Sequence, residues 1–146
     1  MKVYLDVCCL CRPFDKILNQ KIYLESEAVH TILGQCGDEH TLVSSQVIKE
    51  EIRKISDPEK RNRVLNLLLV TGEYVCLNDK IVTRARIFNQ VGIRTFDALH
   101  LACAESANAV FITSDDKIIR ILQKNPDLTN TPVKNPVIWM MEKEND

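Results

Sequence analysis

The chain alternates short apolar runs with longer segments in which apolar residues recur at helical spacing. The apolar runs predict five short strands, over residues 2–5, 41–43, 74–77, 109–112 and 136–140. The helical spacing predicts the intervening helices, over residues 16–35, 46–55, 58–70, 79–90, 96–107 and about 115–124. Strands without apolar–polar alternation, separated by helices, are typical of a parallel sheet covered on both faces. The predicted fold class is therefore α/β, a three-layer sandwich with a central parallel sheet of about five short strands.

Length and composition favour one intracellular domain. The 146 residues are near the commonest size for a single core, so we expect one domain over residues 1–146. No run approaches 18 apolar residues, and the start MKVYLDV lacks the long uncharged segment of a signal peptide. We therefore expect a cytoplasmic protein with no membrane partner. A net charge of −1 argues against a surface that is basic overall, but it says nothing about a local basic patch.

The segment VCCLCRPFD, directly after the first strand, contains three of the six cysteines. Cys8 and Cys11 form a CxxC, whose first thiolate would be activated at a helix start. Pro13 follows closely and no helix is predicted to start at Cys11, which argues against a redox motif. Only three residues separate Cys8 from Arg12, too few for the phosphate loop of a cysteine phosphatase. We interpret these cysteines as small residues in a tight segment after the strand.

Metal and nucleotide sites built on other residues are also disfavoured. A zinc site would have to join residues from opposite edges of the sheet, namely Cys8, Cys11, Cys36 and His40. His30 and His100 lie inside apolar helical patterns and are interpreted as core or helix-surface residues. The sequence contains neither GxGxxG nor GxxxxGKS/T, which argues against a Rossmann or P-loop nucleotide site.

Carboxylates follow the predicted strand ends, where parallel sheets bind their ligands. Asp6 ends the first strand, and Asp115 follows the fourth, where it or Ser114 can also cap the next helix. Glu51 borders the apolar face of the helix after the second strand. Asp97 lies in the first turn of a helix that is apolar nearly all round. If the first and fourth strands are neighbours, these acids converge at one edge of the sheet.

A divalent cation would explain such a cluster. The pattern places no basic residue to neutralise the acids, and clustered carboxylates raise each other's pKa. Oxygen-only ligands suit Mg²⁺ or Mn²⁺, and two such ions can activate water and stabilise a leaving oxygen in phosphodiester hydrolysis. Two alternatives remain open. Asp97 could have only a structural role, because an acid in the first turn of a helix makes a favourable contact with the helix dipole. Glu50 could take the place of Glu51 as the second acid, although Glu50 points further outward.

Four short motifs lie in a fixed order along nearly the whole chain. They are YLD at residues 4–6, SQVIKEEI at 45–52, FDALHLACA at 96–104 and FITSDD at 111–116. Together they resemble the PIN domain, the fold of VapC-type ribonuclease toxins. The resemblance implies an endoribonuclease, dependent on Mg²⁺ or Mn²⁺, that hydrolyses phosphodiester bonds of single-stranded or structured RNA. It further implies the toxin of a toxin–antitoxin pair, with an antitoxin protein as partner and a homodimeric state.

The resemblance also assigns roles to individual residues. The four family acids, which are catalytic and metal-binding, correspond to Asp6, Glu51, Asp97 and Asp115. Thr113 would supply a supporting hydroxyl, and Asp116 is an additional acid in a supporting position. Val7 departs from the pattern, because a Thr or Ser often follows the first acid.

Basic residues near the predicted cluster are candidates for RNA contact. Arg12 lies in an RPFD sequence that resembles a subgroup of PIN-like proteins, where it would contact phosphate. The alternative for Arg12 is a surface pair with Asp15. Further candidates for RNA contact are Lys117, Arg53 and Lys54.

Three functional hypotheses follow from these observations. The first is the metal-dependent ribonuclease, which requires the carboxylates. The alternative is a PIN-like RNA- or antitoxin-binding module with little catalysis, which would bind no Mn²⁺. The third is a thiol enzyme, which alkylation of Cys8 and Cys11 would inactivate.

Overall fold

A five-stranded parallel sheet forms the centre of the computed structural model, which describes residues 1–144. The strands are β1 (Lys2–Leu5), β2 (Thr41–Ser45), β3 (Thr71–Val75), β4 (Val110–Ile112) and β5 (Val133–Lys134). Their order across the sheet is β3–β2–β1–β4–β5, and every pairing is parallel. Helices flank the sheet. The predicted α/β class with a central parallel sheet is therefore confirmed.

Five of the α-helices in the described part of the chain begin at a side chain that accepts a hydrogen bond from a backbone N–H group of the first turn. Within residues 1–144, the α-helices are α1 (Val7–Cys11), α2 (Gln20–Gln35), α3 (Gln46–Arg53), α4 (Pro58–Leu67), α5 (Asp79–Gln90), α6 (Thr95–Ser106), α7 (Asp116–Lys124) and α8 (Pro136–Glu144). The side chains that cap α2, α3, α4, α5 and α7 are Asn19, Ser45, Asp57, Asn78 and Asp115. The same residues also contain two short 3₁₀ segments, Arg12–Phe14 and Leu68–Val70.

The predicted strand over residues 136–140 is wrong, because this segment belongs to α8. A short apolar run such as VIWM does not distinguish a strand from a buried helix by its periodicity. Pro136 occupies the first helical position, where a missing N–H costs nothing. The Asn135 side chain accepts a hydrogen bond from the Val137 backbone N–H at 2.8 Å. The fifth strand is instead the two-residue β5, which pairs with β4 and lies directly before this helix.

The segment after β1 also differs from the prediction. Residues 7–11 form the short helix α1, in which the Cys9 and Leu10 backbone N–H groups both donate to the Asp6 carbonyl. A helix therefore begins just before Cys8, and the expected lack of a helix start is no longer an argument against a CxxC redox motif. Smaller differences affect α2, which begins at Gln20 rather than residue 16, and β3, which lies at Thr71–Val75 rather than 74–77.

The central strand β1 aligns the residues that follow it with those that follow β4. β1 pairs with β2 on one side and with β4 on the other, so the expected neighbourhood of the first and fourth strands is present. Leu5 pairs with Ile112, which brings Asp6 and Thr113 side by side at the carboxyl edge. Val3, Tyr4 and Leu5 are fully buried, so the strand that precedes Asp6 is part of the hydrophobic core. Within residues 1–144, we find no helix with the length and hydropathy needed to cross a membrane.

Candidate metal centre

Four carboxylates line one cavity of about 280 Å³ at the carboxyl edge of the sheet. Its lining residues are Asp6, Cys8, Arg12, Glu51, Asp97, Ser114 and Asp115. Each acid reaches the cavity from a different element. Asp6 follows β1, Glu51 lies on α3, Asp97 is in the first turn of α6, and Asp115 caps α7 after β4. The structure thus brings together the four acids that the sequence singles out.

Asp6 is the most deeply buried of these acids, with only 3% of its surface exposed. The Thr113 hydroxyl donates to Asp6 Oδ2 at 2.9 Å, and Thr113 Oγ1 also accepts from the Asp115 backbone N–H at 3.1 Å. Burial raises the pKa of Asp6, while His100 and Thr113 act in the opposite direction. Thr113 therefore links the first acid to the fourth.

Asp97 shows that the acids act on one another. Burial, followed by the charges of Asp6 and Asp115, raises the pKa of Asp97 to about 6. A carboxyl group with a raised pKa in a cluster of acids indicates negative charge that the surrounding side chains do not fully balance. A bound cation would provide that balance.

His100 is the member of the site that the sequence interpretation missed. It is fully buried, and its Nε2 lies 3.0 Å from Glu51 Oε1 and 3.9 Å from Asp6 Oδ1. Burial lowers the pKa of His100, but the hydrogen bond to Glu51 and the nearby acids outweigh this effect and raise it overall. The signal in the sequence was its spacing, because His100 lies three residues after Asp97 and therefore on the same side of α6.

The donor atoms at this edge fit a hard divalent cation. One carboxylate oxygen of Asp6 and one of Glu51 lie within 4.8 Å of each other, and Asp97 and Asp115 line the same cavity. Carboxylate oxygens are the ligands that Mg²⁺ and Mn²⁺ prefer. The residues present therefore suit either ion.

The neighbouring acids differ from those in the cavity. Glu50 is exposed and accepts a hydrogen bond from Arg53 at 3.1 Å, so Glu51 rather than Glu50 faces the site. Asp116 is exposed and pairs with Lys21 at 3.0 Å. Both exposed acids have a cationic neighbour outside the cavity.

The basic residues predicted to contact RNA have different surroundings. Arg12 lines the cavity and donates to Glu25 Oε1 at 2.9 Å and to Asp15 Oδ2 at 3.0 Å, so the alternative pairing with Asp15 is also present. Lys117 lines an adjoining cavity of about 200 Å³, together with Asp97 and Asp115. Of the other candidates, Arg53 pairs with Glu50, and the Lys54 ammonium lies over the Phe96 ring.

The cysteines are free thiols, and their surroundings differ. Cys9 is buried in the core, and burial raises the pKa of the half-buried Cys11 to about 11, which disfavours its reactive thiolate. Cys8 lines the cavity, and its sulfur lies 3.7 Å from the Thr113 hydroxyl. Cys36 and His40 lie before β2, at the opposite edge of the sheet. Within residues 1–144, the four zinc ligands considered from the sequence do not come together.

Solved structures share this fold. The chain is similar to VapBC2 from Rickettsia felis, solved bound to a DNA fragment from their promoter, with a TM-score of 0.63 and 16% identity over 92% of this chain and 98% of that chain. It is similar to VapBC-1 from nontypeable Haemophilus influenzae, with a TM-score of 0.60 and 19% identity over 93% and 98% of the two chains. For FitAcB from Neisseria gonorrhoeae the TM-score is 0.57, with 18% identity over 93% and 98%.

Comparison with curated proteins gives no match. The family model of the PIN domain matches residues 19–123, which is more than half of the chain. The matched segment contains Glu51, Asp97 and Asp115, while Asp6 comes before it and reaches the same cavity through β1. The chain therefore belongs to the PIN domain family.

Proposed function

We propose that this protein is a divalent-metal-dependent endoribonuclease that hydrolyses phosphodiester bonds of single-stranded or structured RNA. The observation that carries this proposal is the convergence of four carboxylates on one cavity at the carboxyl edge of a PIN fold. The raised pKa of Asp97 and the burial of Asp6 add to it, because both indicate a site suited to a cation.

The residues that would hold Mg²⁺ or Mn²⁺ are Asp6, Glu51, Asp97 and Asp115. A divalent ion bound there would supply a Lewis acid that lowers the pKa of water and neutralises charge on a phosphodiester. The protein's own part is to hold these oxygens in place. Thr113 orients Asp6 through a hydrogen bond of 2.9 Å, and Asp115 is held at the start of α7, where its side chain accepts from the Lys117 backbone N–H.

Arg12 and Lys117 are proposed to contact the RNA phosphates. The Arg12 guanidinium lines the acidic cavity, and Glu25 and Asp15 fix its orientation. A guanidinium held in this way offers its remaining N–H groups to a phosphate without a large loss of side-chain freedom. Lys117 adds a second positive charge on the other side of Asp97 and Asp115.

We further propose that residues 1–146 act as one domain, as the toxin of a toxin–antitoxin pair and as a homodimer. The similarity to structures of VapBC complexes supports the antitoxin partner. Exposed apolar side chains support protein contacts, since Leu18 is 77% exposed and Ile17 is 62% exposed, next to Tyr23 and Leu24 on α2. Light scattering on the isolated chain and on the co-expressed pair measures both assemblies.

An RNA cleavage assay with Mg²⁺, Mn²⁺ or EDTA tests the enzyme. Glu51→Gln and its matched control Glu50→Gln remove adjacent carboxylates, only the first of which lines the cavity. We expect cleavage by the wild type with either metal, none with EDTA, loss in Glu51→Gln and retention in Glu50→Gln. Full Mn²⁺-dependent activity of Glu51→Gln or of Asp6→Asn would contradict the proposal. Binding of RNA or antitoxin by a wild type that neither cleaves nor binds Mn²⁺ would support the binding module instead.

A further inference from the structure

A continuous set of hydrogen-bonded side chains runs through the core to the cavity. The Tyr4 hydroxyl lies 2.7 Å from Ser45 Oγ and 2.7 Å from His100 Nδ1, and His100 Nε2 lies 3.0 Å from Glu51 Oε1. Tyr4, Ser45 and His100 are fully buried. These residues lie outside the set of acids that would hold the cation, and a purely apolar core would need none of them. We therefore look for a separate function for the hydrogen bonds that these three residues form.

The chemistry of each group sets the direction of these hydrogen bonds. An ionised Glu51 carboxylate can only accept, so His100 Nε2 must carry the hydrogen. Nε2 donates to Glu51 in both the neutral and the protonated imidazole, and in the neutral form Nδ1 accepts from the Tyr4 hydroxyl, whose oxygen accepts in turn from Ser45. Ser45 Oγ also accepts from the Ile48 backbone N–H at 3.1 Å. Every donor along this path then has an acceptor.

The path connects two points of the same helix. Ser45 caps the start of α3, and Glu51 lies further along α3. Tyr4 on β1 and His100 on α6 join these two points from outside the helix. The Glu51 side chain is thereby held by a hydrogen bond to a residue on a different helix, α6.

We propose that His100 is a positioning residue, which holds Glu51 by donating from Nε2 and so prepares its carboxylate for the divalent cation. This inference rests on the proposed metal-dependent function. With Oε1 engaged by His100, the carboxylate presents its remaining accepting capacity to the cavity that Glu51 lines. A carboxylate held in advance loses less side-chain entropy when it binds an ion, which raises the affinity.

Direct ligation by His100 is the competing arrangement. It would require a lone pair on Nε2 and a hydrogen on Nδ1 donated to Tyr4. Nε2 and Glu51 Oε1 would then be two acceptors facing each other at 3.0 Å, which is unfavourable without a shared hydrogen. The distance favours donation over ligation.

Calorimetric titration with Mn²⁺ of the wild type and two substitutions of His100 tests the proposal. In His100→Gln, the amide nitrogen can take the position of Nε2 and donate to Glu51, whereas the shorter side chain of His100→Asn reaches only the position of Nδ1. We expect His100→Asn to bind Mn²⁺ about 10- to 100-fold more weakly, and His100→Gln to retain affinity within about 3-fold of the wild type. Circular dichroism verifies that each variant is folded.

The titration separates failure of this inference from failure of the proposed function. Wild-type protein that binds no Mn²⁺ contradicts the metal-dependent function itself, together with the role of His100 that rests on it. Wild-type binding that His100→Asn leaves unchanged contradicts the positioning role alone. A second measurement needs no variant. Pulsed electron paramagnetic resonance of bound Mn²⁺ should give no strong ¹⁴N coupling from a directly ligated imidazole, and such a coupling would establish ligation in place of positioning.

Discussion

The two edges of the sheet contain acidic residues in opposite electrostatic situations. At the amino edge, the larger cavity, of about 530 Å³, is lined by Glu105 and Arg84. Arg84 Nη2 donates to Glu105 Oε2 at 2.8 Å, and the Thr129 hydroxyl donates to the same oxygen at 2.6 Å. At the carboxyl edge, the smaller cavity collects four acids. The proposed metal site is therefore the smaller of these two cavities, and what distinguishes it is carboxylate charge without sufficient cationic partners.

The pKa directions express the same contrast. Burial opposes ionisation of Glu105, but hydrogen bonds from Arg84 and Thr129 outweigh it and lower its pKa. Burial and neighbouring acids raise the pKa of Asp97 to about 6. At the amino edge, the charge of Glu105 is thus balanced by Arg84. At the carboxyl edge, the negative charge of the acids is not fully balanced, and a bound cation would balance it.

The largest expected effect comes from neutralising an acid at the carboxyl edge. Asp97→Asn should reduce Mn²⁺-dependent RNA cleavage by about 100-fold or more, because it removes a proposed ligand of the ion. The same change should leave thermal stability in EDTA equal to or above that of the wild type, since it removes repulsion with Asp6 and Asp115. Cleavage rates and melting curves measure the two effects. If Asp97→Asn were less stable than the wild type in EDTA and still cleaved RNA, the proposed difference between the two edges of the sheet would be contradicted.

A moderate effect of the opposite kind is expected at the amino edge. Glu105→Gln should lower the free energy of unfolding at neutral pH by about 1–2 kcal/mol, because it removes charge-assisted hydrogen bonds that are partly screened by solvent. Metal-dependent cleavage should remain at the wild-type level. Denaturant unfolding and the cleavage assay check these outcomes, and a loss of cleavage with unchanged stability would contradict them.

The pH dependence sharpens this second prediction. The folded-state pKa of Glu105 lies below its ordinary value of 4.5, so its contribution is present above that pH and disappears as the pH falls through the lowered pKa. In EDTA, the contribution of Asp97 to stability depends on pH in the opposite direction. Because its pKa in the folded protein is raised, Asp97 favours the folded state at low pH, and this contribution disappears as the pH rises through about 6. We therefore expect the free energy of unfolding of Glu105→Gln to fall less steeply than that of the wild type as the pH is lowered.

The smallest effect is expected for the exposed acid beside the site. Asp116 pairs with Lys21, and the two side chains are 59% and 54% exposed. Asp116→Asn should change stability by less than about 0.5 kcal/mol and leave Mn²⁺ affinity unchanged, because exposed pairs contribute little. Titration of Asp116→Asn beside Asp115→Asn provides the matched comparison. Equal losses of affinity in both variants would extend the proposed site to Asp116.

The sequence was most informative where local patterns suffice. A buried strand followed by Asp6 and another followed by Asp115 can be recognised from residues close together in the chain. Their meeting at one edge required only that the first and fourth strands be neighbours, which is the observed pairing. Whether the four acids bind metal stays a prediction, although the structure brings them to one cavity.

The contacts of His100 could not be predicted in this way. Its partners Tyr4 and Glu51 are 96 and 49 residues away in the sequence, so only the tertiary arrangement brings them together. The apolar pattern of α6 correctly indicated burial, but burial alone does not distinguish an inert histidine from one in a polar path. The wrong strand at residues 136–140 has a local cause, since Asn135 and Pro136 form a helix start that the apolar run concealed.

Crystallographic location of Mn²⁺ tests the contrast between the two edges most directly. Crystals soaked in Mn²⁺ should give an anomalous difference peak in the cavity lined by Asp6, Glu51, Asp97 and Asp115. The same map should have no peak beside Glu105, where Arg84 already balances the charge. A peak at the amino edge, or an empty carboxyl-edge cavity at saturating Mn²⁺, would contradict the assignment of the metal centre.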